Sequence, residues 1–451
     1  MLAPVVLLLV SNATAQGTPL PRNTVIPPAT WDAAITEGKQ KSQVMAILDH
    51  LCNRIGPRLT SSDNLQNACE WSREWLKDLG YDNARLDRWG EFPVGFNRGP
   101  WSGEVLAPIK KALVCNTPAW SAGTHGRQEG PLVLAPTSEE DAKERATELQ
   151  GAWLLMKQRP RRSLSGRARR ITKACQEAGA LGYVYSGRKT RNGMKKGIVH
   201  ENLLLTGGNY RIRWNKLPAF PRVQVRWDQF QELVAMLEKR QEVRLAFDIR
   251  NWFKKGPIPL YNVVADLVGS EKPNEFVVVS GHIDSWDGAA GTTDNGTGTA
   301  TTLEAARILK AIGARPKRTI RFMLWSGEEQ GLMGSRSWVQ KNRKDVKVNC
   351  QAALVHDGGT NYAGGIVGTK AQLPLLLRAF AGFHTIDSSL PFQVTEGRQP
   401  SYGSDHTSFI SIGAPGFYWK QEGNAQYRYT HHTQYDTFDA AVPAYQAQTA
   451  L

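Results

Sequence analysis

The chain has 451 residues, 41% hydrophobic and 22% charged, an ordinary globular composition with length for two or three buried cores. Its formal charge is +15 and its sequence pI is about 9.6, a basic balance that suits either an anionic partner or a solvated surface. Five Cys, an odd number with no CxxC spacing, exclude a disulfide framework and a thiolate metal site.

The chain opens on MLAPVVLLLVSNATAQ. Residues 5–10 form an apolar run too short to span a bilayer. Ala13-Thr14-Ala15 then fits a small-x-small cleavage site, so residues 1–15 read as a signal peptide with Gln16 as the mature start. No Lys or Arg precedes the run, as in a leader whose start is clipped. No later stretch approaches a membrane span, so the mature protein is expected to be soluble and exported, secreted or periplasmic.

VMAILDHLCNRI has apolar residues at helical spacing, and GPRLTSSDN is a turn segment. LQNACEWSREWLKDLG is a second amphipathic helix, its stripe formed by Leu65, Ala68, Cys69, Ser72, Trp75, Leu76 and Leu79 and its end marked by Gly80. Cys52 and Cys69 fall on these two helices, where they could pair in an oxidising compartment; buried free thiols are the preferred reading. NARLDRWGEFPV reads as a strand. From about residue 98 to 255 strand-like pieces (GPLVLAP, GAWLLMK, LGYVYSG, VRLAFDI) alternate with basic loops, and one helix over residues 165–178 leads into EAGALGYVYSG. This is a small α/β or β-rich module.

From Tyr261 onward strands and helices alternate. YNVVADLVG, EFVVVSGHID, RTIRFMLWSGEE and CQAALVHDGG are strands, and TATTLEAARILKAIG and GLMGSRSWVQKN are helices. Such alternation predicts an α/β fold with a mainly parallel sheet covered on both faces. Sites in such sheets form beyond the C-terminal strand ends. The module at 98–255 therefore interrupts a main domain made of residues 30–97 and 256–451. The last segment, PAYQAQTAL, reads as a helix.

Three predicted strands end in residues that bind metals. The first ends in His282-Ile283-Asp284, where positions two apart point the same way, so that a carboxylate stands beside the imidazole. Asp294 follows in a Gly- and Thr-rich loop. The second strand ends in Glu328-Glu329, whose side chains diverge, and the third in His356-Asp357. His431 and His432 lie near the C-terminus in YTHHTQYDT. Carboxylates gathered at one sheet edge repel one another unless neutralised. Two His and three carboxylates suit two divalent ions sharing a bridging Asp, and N/O donors without thiolate favour Zn, with Mn or Co as substitutes.

The series H-x-D, D-N-G-T-G, E-E, D and H-T-x-x-D-T resembles the ligand series of peptidase family M28, the co-catalytic zinc exopeptidases. IGPRLTSSDNLQNACEW and SYGSDHTSF look like its carboxypeptidase Q branch, in which residues 98–255 would be a protease-associated (PA)-like insert. The resemblance covers nearly all of the mature chain. It implies that Asp294 bridges two Zn ions, that His282 and Asp357 complete one site, and that Glu329 and His432 complete the other. It further implies that Glu328 is the general base and that Asp284 supports His282. His432 is preferred to His431 because it directly precedes Thr433, with Asp436 as the Asp of the pattern. The implied reaction is peptide hydrolysis by a water held between metals ~3.5–4 Å apart. Glu328 would take its proton and hand it to the leaving amine. Ser404, Asp405 and His406 are candidates for the cleft wall.

The basic stretches KQRPRRSLSGRARRITK and GRKTRNGMKKG lack interleaved aromatics, so no nucleic-acid partner is expected and a solvated rim is the reading. The Gly-rich segment after Asp294 lacks both nucleotide-loop patterns, and no GxSxG nucleophile elbow appears. The expectation is a secreted di-zinc exopeptidase acting on small peptides or dipeptides, an aminopeptidase or dipeptidase, with a second copy of the chain as a candidate partner in a homodimer. Its rivals on the same scaffold are a carboxypeptidase, a glutaminyl-cyclase-like enzyme and a non-catalytic binding protein.

Overall fold

The structure is a computed structural model that describes residues 26–157 and 166–451. The leader expected at residues 1–15 and part of the basic stretch beginning at Lys157 lie outside the described residues.

Apolar, β-branched runs build the centre. Arg318–Trp325, Lys272–His282, Cys350–Val355 and Gly416–Glu422 lie side by side and parallel. Side chains alternate between two apolar faces, as strand geometry requires. Phe322 and Leu324 enter a core with helices Val44–Asp49, Asp63–Asp78 and Thr297–Ala311. Met323 and Trp325 enter the opposite core, with Trp338 of helix Met333–Lys341 and Phe409 of helix His406–Ile410. The molecule is thus α/β, with a mainly parallel sheet between helices, as the alternation predicts.

Local signals set the helix ends. Ser62 caps Asp63–Asp78 by accepting from the Leu65 amide at 3.1 Å. Its buried stripe is Leu65, Ala68, Cys69, Ser72 and Leu76, while Trp75 and Leu79 pack at the margin. The segment expected as one helix over 44–55 is α-helical only over Val44–Asp49. It then widens into a π-turn over His50–Ile55 that ends at Gly56, φ +88°, a backbone state glycine adopts without a Cβ clash. All five cysteines are buried free thiols.

Among the described residues the sheet has fourteen strands, because two long strands carry it past the central region. Arg85–Ala107 and Arg244–Leu267 pair antiparallel from Arg85↔Val264 to Ala107↔Arg244. One end of Arg244–Leu267 pairs with Arg318–Trp325 and the other with Gln128–Leu134. Beyond it, Gln128–Leu134, Trp153–Met156, Gly182–Ser186 and Arg222–Val225 run parallel, with helix Trp227–Glu238 on one face and helix Gly166–Glu177 on the other. Positions 98 and 255 both lie inside this two-stranded ribbon, so backbone hydrogen bonding is continuous between the two regions.

Arg58 locks the N-terminal helices to the central sheet. It is fully buried, and its guanidinium donates to the carbonyls of Ile283 (2.8 Å), Leu51 (3.3 Å), Gly56 (3.3 Å), Ala290 (3.0 Å) and Gly291 (2.6 Å). Removing the donor while its acceptors stay buried costs their desolvation. Arg58→Met should lower unfolding free energy by about 3 kcal/mol, read from the shift of the urea midpoint. An unchanged midpoint would show that these carbonyls find other partners.

Candidate metal centre

The candidate residues meet at the C-terminal edge of the parallel strands. His282 is the last residue of its strand, Glu328 and Glu329 follow Trp325, and Asp357 follows Val355. Asp294 comes from the irregular segment Thr292–Gly296, directly before helix Thr297–Ala311. His431 and His432 follow the short helix Tyr427–Thr430.

Asp294 turns one oxygen to each of two groups. Its Oδ1 lies 3.3 Å from His282 Nε2, which is itself 3.4 Å from Asp357 Oδ1. Its Oδ2 lies 3.0 Å from His432 Nε2, which is 3.0 Å from Glu329 Oε2. His431 Nε2 is also near, 3.7 Å from the same oxygen, and its ring stacks on His432 at 3.9 Å. The structure therefore brings both adjacent histidines to Asp294, with His432 the closer and the one that also meets Glu329. Burial pushes His431 down to about 4, so it is neutral at pH 7.

The donor set fits divalent cations. His282 Nε2, Asp294 Oδ2 and Glu329 Oε1 are buried and make no hydrogen bond, although buried polar atoms are ordinarily paired. His282 Nδ1 faces the Asp284 carbonyl at 3.0 Å, a geometry in which Nδ1–H donates and the Nε2 lone pair points at Asp294 and Asp357. Three carboxylates and imidazole nitrogens without sulfur match the preference of zinc-type ions.

The electrostatics register the same crowding. Burial raises Glu329 to about 7, with the Asp294 charge adding to it. Burial also raises Glu328 well above the carboxylate range; the His282 charge opposes this, and Asp357 and Asp405 reinforce it. Burial alone would lower His282, yet the charges of Asp357 and Glu328 outweigh it and hold the ring well above its ordinary value. Each carboxylate is easier to ionise only with positive charge among them.

Asp284 lies beside His282 and also meets the neighbouring strand end. Its carboxylate is 3.5 Å from His282 Nδ1, and the backbone carbonyl is the nearer partner. The carboxylate also accepts from the amides of Glu328 (3.2 Å) and Glu329 (3.3 Å) and from the Thr60 hydroxyl (3.0 Å). It thus ties both glutamates to the end of the neighbouring strand. Asp436 performs a similar task, accepting from the Thr293 amide at 2.6 Å and hydroxyl at 2.8 Å, one residue before Asp294.

Ser404, Asp405 and His406 do not form a cleft wall in this structure. All three are fully buried, and they lead into helix His406–Ile410. His406 Nε2 is 2.8 Å from the Pro400 carbonyl, and burial raises Asp405 to about 7. The narrow cleft over Asp294, Glu329 and His432 is walled by Trp286 and Thr206 instead.

Thr206 belongs to the region between residues 98 and 255, and that region grips the His432 loop. The Thr206 amide donates to the His432 carbonyl at 3.0 Å, Arg191 Nη1 donates to the His431 carbonyl at 2.6 Å, and Leu205 forms a bridge with Thr433. His432 itself has φ +55°, a left-handed state that a side chain enters only when its surroundings hold it there. Arg58, Thr60, Arg191, Thr206 and Trp286 carry no local signal of these tasks, since each acts on residues more than a hundred positions away or on a loop without a repeating pattern.

The model of "Peptidase family M28" matches residues 262–450. The chain is 26% identical over 412 residues to carboxypeptidase Q of Homo sapiens, spanning 90% of this chain and 82% of that protein, and 27% identical over 409 residues to carboxypeptidase Q of Pongo abelii, spanning the same shares. A solved peptidase M28 precursor from Shewanella amazonensis superposes with TM-score 0.64 at 25% identity over 94% of this chain and 93% of that one. A zinc aminopeptidase from Bacillus subtilis shares the fold at TM-score 0.54 and 18% identity, over 90% and 93% of the two chains. With the donor residues gathered at the strand ends of that fold, residues 262–450 match peptidase family M28, the chain is similar over 90% of its length to carboxypeptidase Q, and it is a metallopeptidase.

Proposed function

We propose that this chain is a di-zinc exopeptidase that hydrolyses small peptides or dipeptides carrying a free N-terminus. The observation that carries the reading is the Asp294 carboxylate, with one oxygen toward His282 and Asp357 and the other toward His432 and Glu329. In this reading His282, Asp294 and Asp357 hold one ion and Asp294, Glu329 and His432 hold the second. Once bound, the ions supply Lewis-acid polarisation of the scissile carbonyl and make water acidic enough to lose a proton near neutral pH.

The chain's own residues supply the rest. Glu328 stands among the ligands without sharing their close pairs, so its carboxylate is the group left to accept the proton of the attacking water. The same carboxyl then donates that proton to the leaving amine. Asp284 holds the backbone that presents Glu328 and Glu329, and the Asp284 carbonyl keeps His282 in the tautomer with a free Nε2. Trp286 and Thr206 narrow the opening above the centre, which suits short, unfolded substrates.

The relatives named carboxypeptidase Q favour a second reading, removal of C-terminal residues. Export is proposed from the leader in the sequence. Among the described residues no helix is long and apolar enough to cross a membrane.

Free and N-acetylated versions of one dipeptide pool, assayed with and without a chelator, separate the two readings. Cleavage of the free-amine set alone, lost on chelation and restored by zinc, is expected. Preference for the blocked set would assign carboxypeptidase action, and no cleavage of either by zinc-loaded protein would overturn both. Glu328→Gln should retain its zinc while turnover falls about 10³-fold; full activity in that variant would remove Glu328 from the mechanism. Zinc content by mass spectrometry tests the sharing of Asp294. Asp294→Ala should lose both ions, whereas His282→Ala and His432→Ala should each lose one, and full retention by Asp294→Ala would refute a bridge.

A further inference from the structure

We propose that the region between residues 98 and 255 carries a second binding site, for a small aromatic oxyanion, an aryl phosphate or aryl carboxylate. A cavity of about 880 Å³ opens between helix Gly166–Glu177, the strands Gly182–Ser186 and Arg222–Val225, and the loop over residues 205–220. Its volume falls within the ~300–1,000 Å³ of small-molecule sites. The metal-centre residues do not line it, and Thr206 alone is common to it and the cleft above Asp294.

Its lining has one sign of charge. Arg169, Arg211, Arg213, Lys216 and Arg222 face it, and among the described residues no Asp or Glu does. Outside the cavity, Arg226 meets Asp228 at 2.7 Å and Arg321 meets Asp266 at 2.7 Å. Among the described residues Arg213, Lys216 and Arg222 make no ion pair, and the buried Nε of Arg222 has no hydrogen-bond partner. Like charges around a concave, partly desolvated surface focus a positive potential, and an entering anion relieves their repulsion.

Its floor is aromatic. Strand register sets Tyr183 beside Arg222 and Tyr185 beside Gln224, and positions two apart share a face. Phe220 meets Tyr183 edge to face at 4.9 Å, and Trp120 also lines the cavity. A flat ring finds stacking partners there while its charged head reaches the guanidinium groups on the rim. The opposite face of these strands is a closed apolar core with Phe230 and Leu233, so the cavity is confined to one side.

Isothermal titration of the full chain with phenyl phosphate and with isophthalate, and with neutral benzamide as control, tests the site. At least one oxyanion should bind with Kd below ~1 mM and benzamide should not, and the head group that binds identifies phosphate or carboxylate as the source chemistry. Arg213 and Lys216 are exposed, so Arg213→Ser/Lys216→Ser should keep the wild-type melting temperature and weaken binding about tenfold. Arg222→Gln should weaken it independently. Failure of both oxyanions to bind, or equal affinity in all three proteins, would overturn the proposal, the latter by placing the anion at the metal centre.

Discussion

The repulsion among the carboxylates around Asp294 is the constraint on which the rest of this structure depends. Asp294, Asp357, Glu329 and Glu328 converge where water is largely excluded, and like charges so placed resist folding unless positive charge or protons come between them. His282 and His432 supply nitrogen on either side of Asp294. Unpaired buried atoms on three of these side chains remain for a cation. A cluster of this kind is stable as a bound site and costly as an empty one, so its position has to be enforced from outside.

Enforcement comes from groups that touch the backbone around the centre. Arg58 gathers five carbonyls from the first helices, the end of a central strand and the loop before Asp294. Asp284 ties two strand ends together, and Asp436 holds Thr293. Charged side chains do this work because each accepts or donates several hydrogen bonds at once in a poorly solvated setting, where such bonds are strongest. The central sheet supplies rigidity beneath them, with both faces sealed by apolar side chains.

The region between residues 98 and 255 is joined to this arrangement twice. The ribbon of Arg85–Ala107 and Arg244–Leu267 makes its sheet continuous with the central one, and the segment around Leu205 and Thr206 lies directly on the His432 loop. The left-handed backbone of His432 is held partly by residues of that region. The same loop that walls the metal cleft at Thr206 goes on to form one side of the basic cavity. Substrate access and the second cavity therefore share a structural element.

Much of the fold was legible because its signals are local. Runs such as FVVVS and RFMLW can be recognised as buried strands from composition alone, and the stripe of Asp63–Asp78 from its spacing. Ligand-type residues stood out because an acid or imidazole at a strand end has a definite direction, as His282 and Asp284 do, and because their order along the chain resembles a known series. Other features were not local. Ser404, Asp405 and His406 read as candidates for the cleft wall from a polar, Gly-containing segment, and the tertiary structure buries all three at the start of helix His406–Ile410. The π-turn at His50–Ile55 departs from a pattern that reads as one helix. By itself the sequence determined the alternation of strands and helices and the types of donor at the strand ends, since both follow from neighbours a few residues apart. The tertiary structure alone decided which oxygen of Asp294 meets which histidine, what holds them there and where Arg213, Lys216 and Arg222 of the second cavity converge, because those contacts are set by packing that exists only once the chain has closed around its core.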